Sequence, residues 1–366
     1  MPWFRLPFGL FIYIWGVSLF VTRETYAEID NISAVVKPED GEPVRKSRAR
    51  KSDVESLKPS LSVPKPRSTE DPFDPSLLTM EVWTELLDIF KLQYNTELSF
   101  LHQPTFSARV RATMNQNQIK DMPASIEFTT SKAWLLAFLT LTARFHPELR
   151  NHFADQDSEK KNDQLAASEF YASAQEPSLG TLSFNTTSIE LVQTHLMLSV
   201  HYWGMCRGET AWTHLQQAIS KAQLIGLPRE DEDDGTEVEV TPQPVDDSEQ
   251  PSSQDVQDNI TKEIRRRTLF SCFILDRYLS GGRDRALRID VENLRVRLPG
   301  SDDAFVFGEK SETGFLQVKE TGKILDGMRL VRQVHTGDDE SVLSRYIRLV
   351  EIWGRFSKWS CLGGRR

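Results

Sequence analysis

The sequence predicts an all-α protein, a helical bundle or irregular α–α array. Three observations carry that expectation. Apolar residues recur three and four positions apart through most of residues 76–361, the period of a helix face packed on a core. Polar and apolar residues nowhere alternate for long enough to build a real sheet. Cap-type residues, glycines and prolines divide the chain into helix-length pieces. Adjacent helices form pairs, but no repeat of fixed period is present.

The first 22 residues stand apart. Leu6 to Val21 reads LPFGLFIYIWGVSLFV, with Arg5 before it and Arg23 after it. Its length falls between a signal-peptide core and a membrane span. It is either a signal or anchor, or a stretch that is not the native start of the folded protein, such as a misassigned exon. Residues 23–75 are rich in Pro, Ser, Lys, Arg, Glu and Asp and read as a disordered linker. Within them Arg45, Lys46, Arg48, Arg50 and Lys51 place five cations in seven residues. That density suits a nuclear-import signal or a weak phosphate contact, and equally a solvated linker that is basic by chance.

A helical domain is expected over 76–361. Ser76 is a candidate N-cap, followed by Leu77, Leu78, Val82, Leu86, Leu87 and Phe90 at helical spacing. Pro104 interrupts the next segment, and Thr105 reads as the start of a short helix. Residues 132–145, KAWLLAFLTLTARF, are apolar nearly all round, which places that helix at the centre; Pro147 ends it or lies just beyond. A further helix is expected over 163–175. Residues 186–206 and 208–225 make an antiparallel helical hairpin about Arg207 and Gly208, closed by Gly226. Residues 229–258 hold twelve acidic residues against one basic residue, Arg229, and read as a self-repelling disordered loop. The helix over 259–280 is capped by Asn259 and closed by a left-handed turn at Gly281 and Gly282, with a buried stripe of Ile264, Leu269, Cys272, Leu275 and Leu279. After a loop with short extended pieces, residues 340–359 form a last amphipathic helix.

Composition narrows the function. Across 366 residues the net charge is −9 and the pI about 5.4, which argues against the whole chain being a nucleic-acid binder. Three scattered cysteines, Cys206, Cys272 and Cys361, exclude a disulfide scaffold and a self-contained cysteine-rich zinc site. His195 and His201 lack companions at ligand spacing, and His146, His152 and His214 are equally isolated. There is no GxSxG, phosphate-binding loop or HExxH; no catalytic or metal site is expected. Trp134, Trp203 and Trp212 read as core packing, with an aromatic-lined pocket for a small inducer as the lesser alternative.

Four segments then carry a resemblance: LSFLHQPTFSARVRA (98–112), LAFLTLTARFHPEL (136–149), LMLSVHYWGMCRGETAWTHLQQAISKAQLIGLPRE (196–230) and EIRRRTLFSCFILDRYLSGGRDRALRI (263–289). In this order and spacing, with the terminal IWGRFSKWSC (352–361), the chain resembles the fungal-specific transcription-factor domain, the middle homology region of zinc-cluster transcription factors, in the xylanolytic-activator group. The resemblance covers roughly 76–361. It implies a nuclear regulator of RNA polymerase II transcription, and it favours the non-native reading of the N-terminal apolar segment. It also implies a six-cysteine zinc cluster for DNA binding, but no cysteine precedes Cys206, so no zinc or DNA contact transfers to a residue. The family domain commonly continues further, so the last helices are expected to be missing. DNA enters only if a zinc cluster comes from other sequence or from a partner. Protein partners or self-association through helical faces are expected, and a small-molecule inducer is a further candidate. The competing reading is a non-DNA-binding interaction module, anchored to a membrane through 6–21.

Residues 263–289 hold the charged positions to watch. Arg265, Arg266 and Arg267 fan out on one turn, so they cannot all face one partner. One of them reaches the core boundary and pairs with a carboxylate, or contacts another helix or protein. Asp276 and Arg277 lie in an apolar stretch, where a charge survives burial only when paired. Among Arg283, Arg285 and Arg288, Arg285 is the expected partner of Asp276, closing the following loop onto the helix.

Overall fold

The computed structural model describes residues 71–117, 125–153, 165–231, 252–281, 285–311, 313–316 and 341–361, with backbone alone at 181 and 183–185. Ten α-helices occupy these residues: α1 Met80–Tyr94, α2 Gln103–Asn117, α3 Ile126–Thr142, α4 Pro147–Phe153, α5 Ala166–Asn185, α6 Ile189–Gly204, α7 Gly208–Leu224, α8 Ser253–Leu279, α9 Asp302–Phe307 and α10 Val342–Cys361. Among the described residues there is no strand, only an isolated antiparallel bridge between Arg297 and Phe315. The class is all-α, as the periodicity requires. The apolar stretch 6–21 and the basic cluster at Arg45, Lys46, Arg48, Arg50 and Lys51 lie outside the described residues. No helix among the described residues is long and apolar enough to cross a membrane.

Three helices form the interior. α3 is buried without a break from Ala133 to Thr142, α6 from Leu191 to Tyr202, and α8 from Arg266 to Leu279. α3 packs on α5 and α6; α6 packs on α7 and α8; α9 and α10 pack on α8. Phe138 of α3 is the focus of an aromatic cluster. Its ring centroid is 4.8 Å from Phe106 on α2 and 5.4 Å from Phe90 on α1, with Trp83 and Trp134 each at 6.1 Å. Rings at these separations gain contact energy beyond their buried area. A polar thread crosses this core. Trp134 Nε1 donates to Gln193 Oε1 at 2.8 Å, and Gln193 Nε2 donates to Thr268 Oγ1 at 2.9 Å, so α3, α6 and α8 are held in register by satisfied buried groups.

Several boundaries differ from expectation, each for a local reason. Ser76 does not cap α1: its amide and hydroxyl both donate to Asp74 Oδ1, and Thr79 Oγ1 instead accepts from Val82 N–H. Pro104 is the second residue of α2 rather than a break before it; Pro147 lies just past the 3-10 turn Ala143–Phe145 that extends α3, as expected, and also opens α4; a first-turn proline sacrifices no helical hydrogen bond. α5 runs through Pro177 to Asn185. α8 starts six residues before Asn259. Ser252 and Asp255 form a reciprocal capping box there, and acidic residues near a helix N-terminus complement its dipole. Residues 253–258 are thus helix, not acidic loop, and Asn259 Nδ2 donates to the Gly308 carbonyl. The left-handed turn expected at Gly281 and Gly282 is not taken at Gly281, and Gly282 lies outside the described residues; Gly226 at φ 78°, Gly308 at φ 69° and Cys206 at φ 57° are the described residues with that conformation.

Candidate functional site: the charged knot of the central helix

Successive residues of α8 are turned by about 100°, so its three arginines leave in three directions. Arg265 forks onto Glu230, with Nε 2.6 Å from Oε1 and Nη2 2.8 Å from Oε2, and Nη2 also donates to the Ile225 carbonyl. Arg266 Nη2 lies 2.9 Å from Asp231 Oδ1, and its Nη1 lies 2.7 Å from Glu263 Oε2. Arg267 turns toward α9. Its Nε donates to Glu263 Oε1 at 2.8 Å, its Nη1 to Asp302 Oδ1 at 2.7 Å, and its Nη2 to the carbonyls of Gly300 and Ser301. The guanidinium also stands 4.3 Å from the Phe305 ring centroid, within cation–π range.

All three arginines are therefore paired, where one was expected. Their partners Glu230 and Asp231 were read as the start of a solvated acidic loop. Asp231 is instead 2% exposed and accepts from the Arg297 amide at 2.8 Å. The backbone of 228–231 also bonds that of 295–297: Arg295 N–H donates to the Pro228 carbonyl, and Asp231 N–H to the Arg295 carbonyl. The triplet thus fastens two connecting segments to α8, one after α7 and one before α9. Glu263 is the shared anion between Arg266 and Arg267. Its placement three and four residues before them is the helical pairing distance, a signal legible in the sequence.

A second charged group closes the far end of α8. Asp276 is fully buried. Its carboxylate accepts from the Arg288 amide at 3.0 Å, the Ile289 amide at 3.0 Å, Arg277 Nη1 at 3.0 Å and Ser280 Oγ at 3.3 Å. The expected pair with Arg285 does not form. Arg285 Nη1 donates to the Leu279 carbonyl, and its guanidinium lies 5.9 Å from the Trp212 ring centroid. Backbone amides of the returning loop reach Asp276 first, so loop closure works through the main chain. Arg283 lies outside the described residues. Arg277 Nε donates to Glu351 Oε2 of α10 at 2.7 Å and its Nη2 to the Ile289 carbonyl. Gly354 makes room for the Arg277 stem: a Cβ there would stand 2.6 Å from Arg277 Cδ.

The histidines are structural in character. His195 Nδ1 and His214 Nδ1 are 3.1 Å apart, and His201 Nδ1 is 2.6 Å from Arg144 Nη2. Burial, then neighbouring cations, hold His201 down at about 3; burial, His214 and Lys221 hold His195 at about 3. Burial and Arg207 hold His214 at about 4. Among the described residues no group of three or more His, Cys, Asp or Glu is placed to hold a metal ion. Cys272 is fully buried while Cys206 and Cys361 are exposed; three thiols so dispersed do not fit a six-thiolate zinc cluster. Trp134 is core, as expected, whereas Trp203 and Trp212 are half-buried. A cleft of ≈ 350 Å³ lies beside the arginine knot, and Lys262, Arg266, Arg297, Phe305 and Lys310 help line it. It is a charged cleft rather than an aromatic one.

The paired charges of α8 tie two connecting segments and α10 to this helix. The sequence model of the fungal specific transcription factor domain matches residues 87–362, and the knot lies inside that span. This chain belongs to that family. The transcription factor domain is similar to part of a Zn(2)-C6 fungal-type transcription factor, FTF1c, of Fusarium oxysporum f. sp. lycopersici. The two are 27% identical over 194 residues, covering 50% of this chain and 18% of the relative. Two uncharacterised transcriptional regulatory proteins of Schizosaccharomyces pombe match more of the domain. One is 23% identical over 78% of this chain and 26% of its own length; the other is 25% identical over 68% and 33%. The chain thus spans between 18% and 33% of the length of these relatives. No solved structure matches.

Another buried acid, Glu97, gives the domain a pH signature. Glu97 lies in the connection between α1 and α2 and is 4% exposed. It accepts from the Tyr346 hydroxyl of α10 at 3.4 Å. Burial pushes its carboxyl up to about 7 from an ordinary 4.5, against its own backbone amide and Tyr346. The folded form therefore keeps a proton that the unfolded chain releases. Stability from this group is fully present below about 4.5 and is lost as pH rises through about 7. Replacing Glu97 by Gln should remove that slope. Relative to wild type, the variant is expected to gain about 3 kcal/mol between pH 4 and pH 8, read by urea denaturation at each pH. The buried histidines pull the other way below their ordinary 6.5, but they are common to both proteins and cancel in the difference. A difference independent of pH would show that Glu97 ionises freely.

Proposed function

We propose that this chain is the helical regulatory region of a fungal regulator of RNA polymerase II transcription, working in the nucleus. The supporting observation is the family match over residues 87–362, reinforced by relatives whose names are those of transcription factors and regulators. The arginines Arg265, Arg266 and Arg267 are spent on internal carboxylates, so α8 is a frame and not a phosphate-binding surface. DNA contact then belongs to a zinc-cluster module in other sequence or in a partner, and this region supplies protein contacts. No enzymatic step is assigned to it. The test fuses the full chain to a heterologous DNA-binding domain above a reporter gene in a fungal host. Reporter output is expected to change several-fold against the DNA-binding domain alone, with the tagged chain in the nucleus. Output equal to that control, with the fusion bound at its operator, would refute the proposal.

A further inference from the structure

Helix α10 carries two faces, and among the described residues only one packs on the fold. Its inner face buries Ile347, Val350 and Gly354 against α8, and Glu351 turns inward to Arg277. On the opposite side Leu349, Ile352, Phe356 and Trp359 are 49%, 65%, 61% and 51% exposed. Their spacing of three, four and three residues makes one continuous stripe, the pattern by which a helix meets a second helix. Phe356 and Trp359 lie side by side, with ring centroids 6.0 Å apart. Contiguous exposed apolar surface of this kind marks an interaction site.

The charge on α10 selects the occupant. The helix carries Arg345, Arg348, Arg355 and Lys358 against one acidic residue, Glu351, whose Oε2 accepts from Arg277 in the core and whose Oε1 accepts from Arg355 at 2.6 Å; Arg348 and Lys358 donate to the carbonyls of Phe315, Leu316 and Arg285. Arg345 sits within the outer stripe, one turn before Leu349, and is exposed; the Arg355 side chain is 71% exposed. An apolar stripe bearing Arg345 on a helix of net positive charge complements a helix with apolar anchors and acidic flanks. A second copy fits worse, because it would set cationic helix against cationic helix. The stripe is also narrow, four anchors long, where stable protein–protein interfaces draw on roughly 20–30 residues a side.

We propose that the outer face of α10 docks an acidic amphipathic helix. This binding is independent of the transcriptional reading above, since purified protein and peptide suffice to test it. The probe is a fluorescent peptide of about 18 residues, five helical turns. It has Leu and Phe at i, i+3, i+4 and i+7 and Glu on the flanks; its control carries Lys for every Glu. Titrated with the full chain, the acidic peptide is expected to bind at least about tenfold tighter than the control, and to weaken as salt rises. Phe356→Ala and Arg345→Glu should each cost about tenfold in affinity, with circular dichroism melts like wild type because both side chains face solvent. Equal binding of the two peptides, or affinity untouched by both substitutions, overturns the proposal. So does a sedimenting dimer that Phe356→Ala converts to monomer, which would assign the face to a second copy.

Discussion

Replacing Asp276 by alanine is expected to cost about 3–5 kcal/mol of stability and to lower the thermal midpoint by about 10 °C. The magnitude follows from what the carboxylate holds. Two consecutive backbone amides, those of Arg288 and Ile289, point at it, together with Arg277 and Ser280. With the acid gone, two buried N–H groups and part of a guanidinium lose their charged acceptor. Burial raises the Asp276 pKa, while the amides and Arg277 oppose that rise; the opposed effects have similar origin in the low dielectric around α8. Asp276→Asn is the informative companion. Its oxygen can still accept, but its amide group faces donors, so its loss should fall between wild type and alanine. A calorimetric or dichroism melt reads both. An alanine variant melting with the wild type would mean that the loop after α8 closes without this anchor.

The residue types at the site were legible, and their pairings were not. Arg265, Arg266, Arg267, Asp276 and Arg277 stand out because charges interrupt an apolar helix. Local rules reach only to i+3 and i+4, which would have found Glu263 but not Glu230, Asp231 or Glu351. Asp231 lies 35 positions from Arg266, and Glu351 lies 74 from Arg277; those distances are bridged by tertiary packing alone. Glu230 and Asp231 were hidden by the acidic run they begin, where composition favours a solvated loop. Helix positions were read well where apolar spacing was strong, as in α6 and α7, whereas α3 begins at Ile126, six residues before its expected start, in a polar stretch capped by Ser125. Boundaries failed where a cap lay inside a polar stretch, as with Ser252 and Asp255, since capping is decided by two side chains and leaves no trace in periodicity. Asp276 illustrates the remaining limit. Its burial was foreseeable, but its acceptors' geometry matches main-chain amides, and a sequence advertises side-chain partners only.

Arg267→Lys should be nearly as damaging as Arg267→Ala, each losing about 3–5 kcal/mol, despite the retained charge. Arg267 is 1% exposed and spans two carboxylates and the carbonyls of Gly300 and Ser301. A planar guanidinium reaches four acceptors in fixed directions; an ammonium is a compact point with three donors and a strong demand for water. Lysine can meet Glu263 or Asp302, but not those two and the carbonyl pair together, and the stacking over Phe305 at 4.3 Å is lost. Glu263 and the Gly300 carbonyl are then left buried between α8 and the start of α9 with fewer donors, whereas Asp302, whose side chain is 70% exposed, turns to water. Glu263 also holds the Gly300 amide at 3.0 Å, so the segment joining 298–302 to α8 should loosen as a unit. Hydrogen exchange is the sharper readout. Amides of 300–305 are expected to exchange faster in the lysine variant, while those of α3 and α6 keep wild-type protection relative to the lowered global stability. Uniform loss of protection across the domain would instead make Arg267 a contributor to global stability alone, and wild-type stability in the lysine variant would reduce the knot to a simple Coulomb pair.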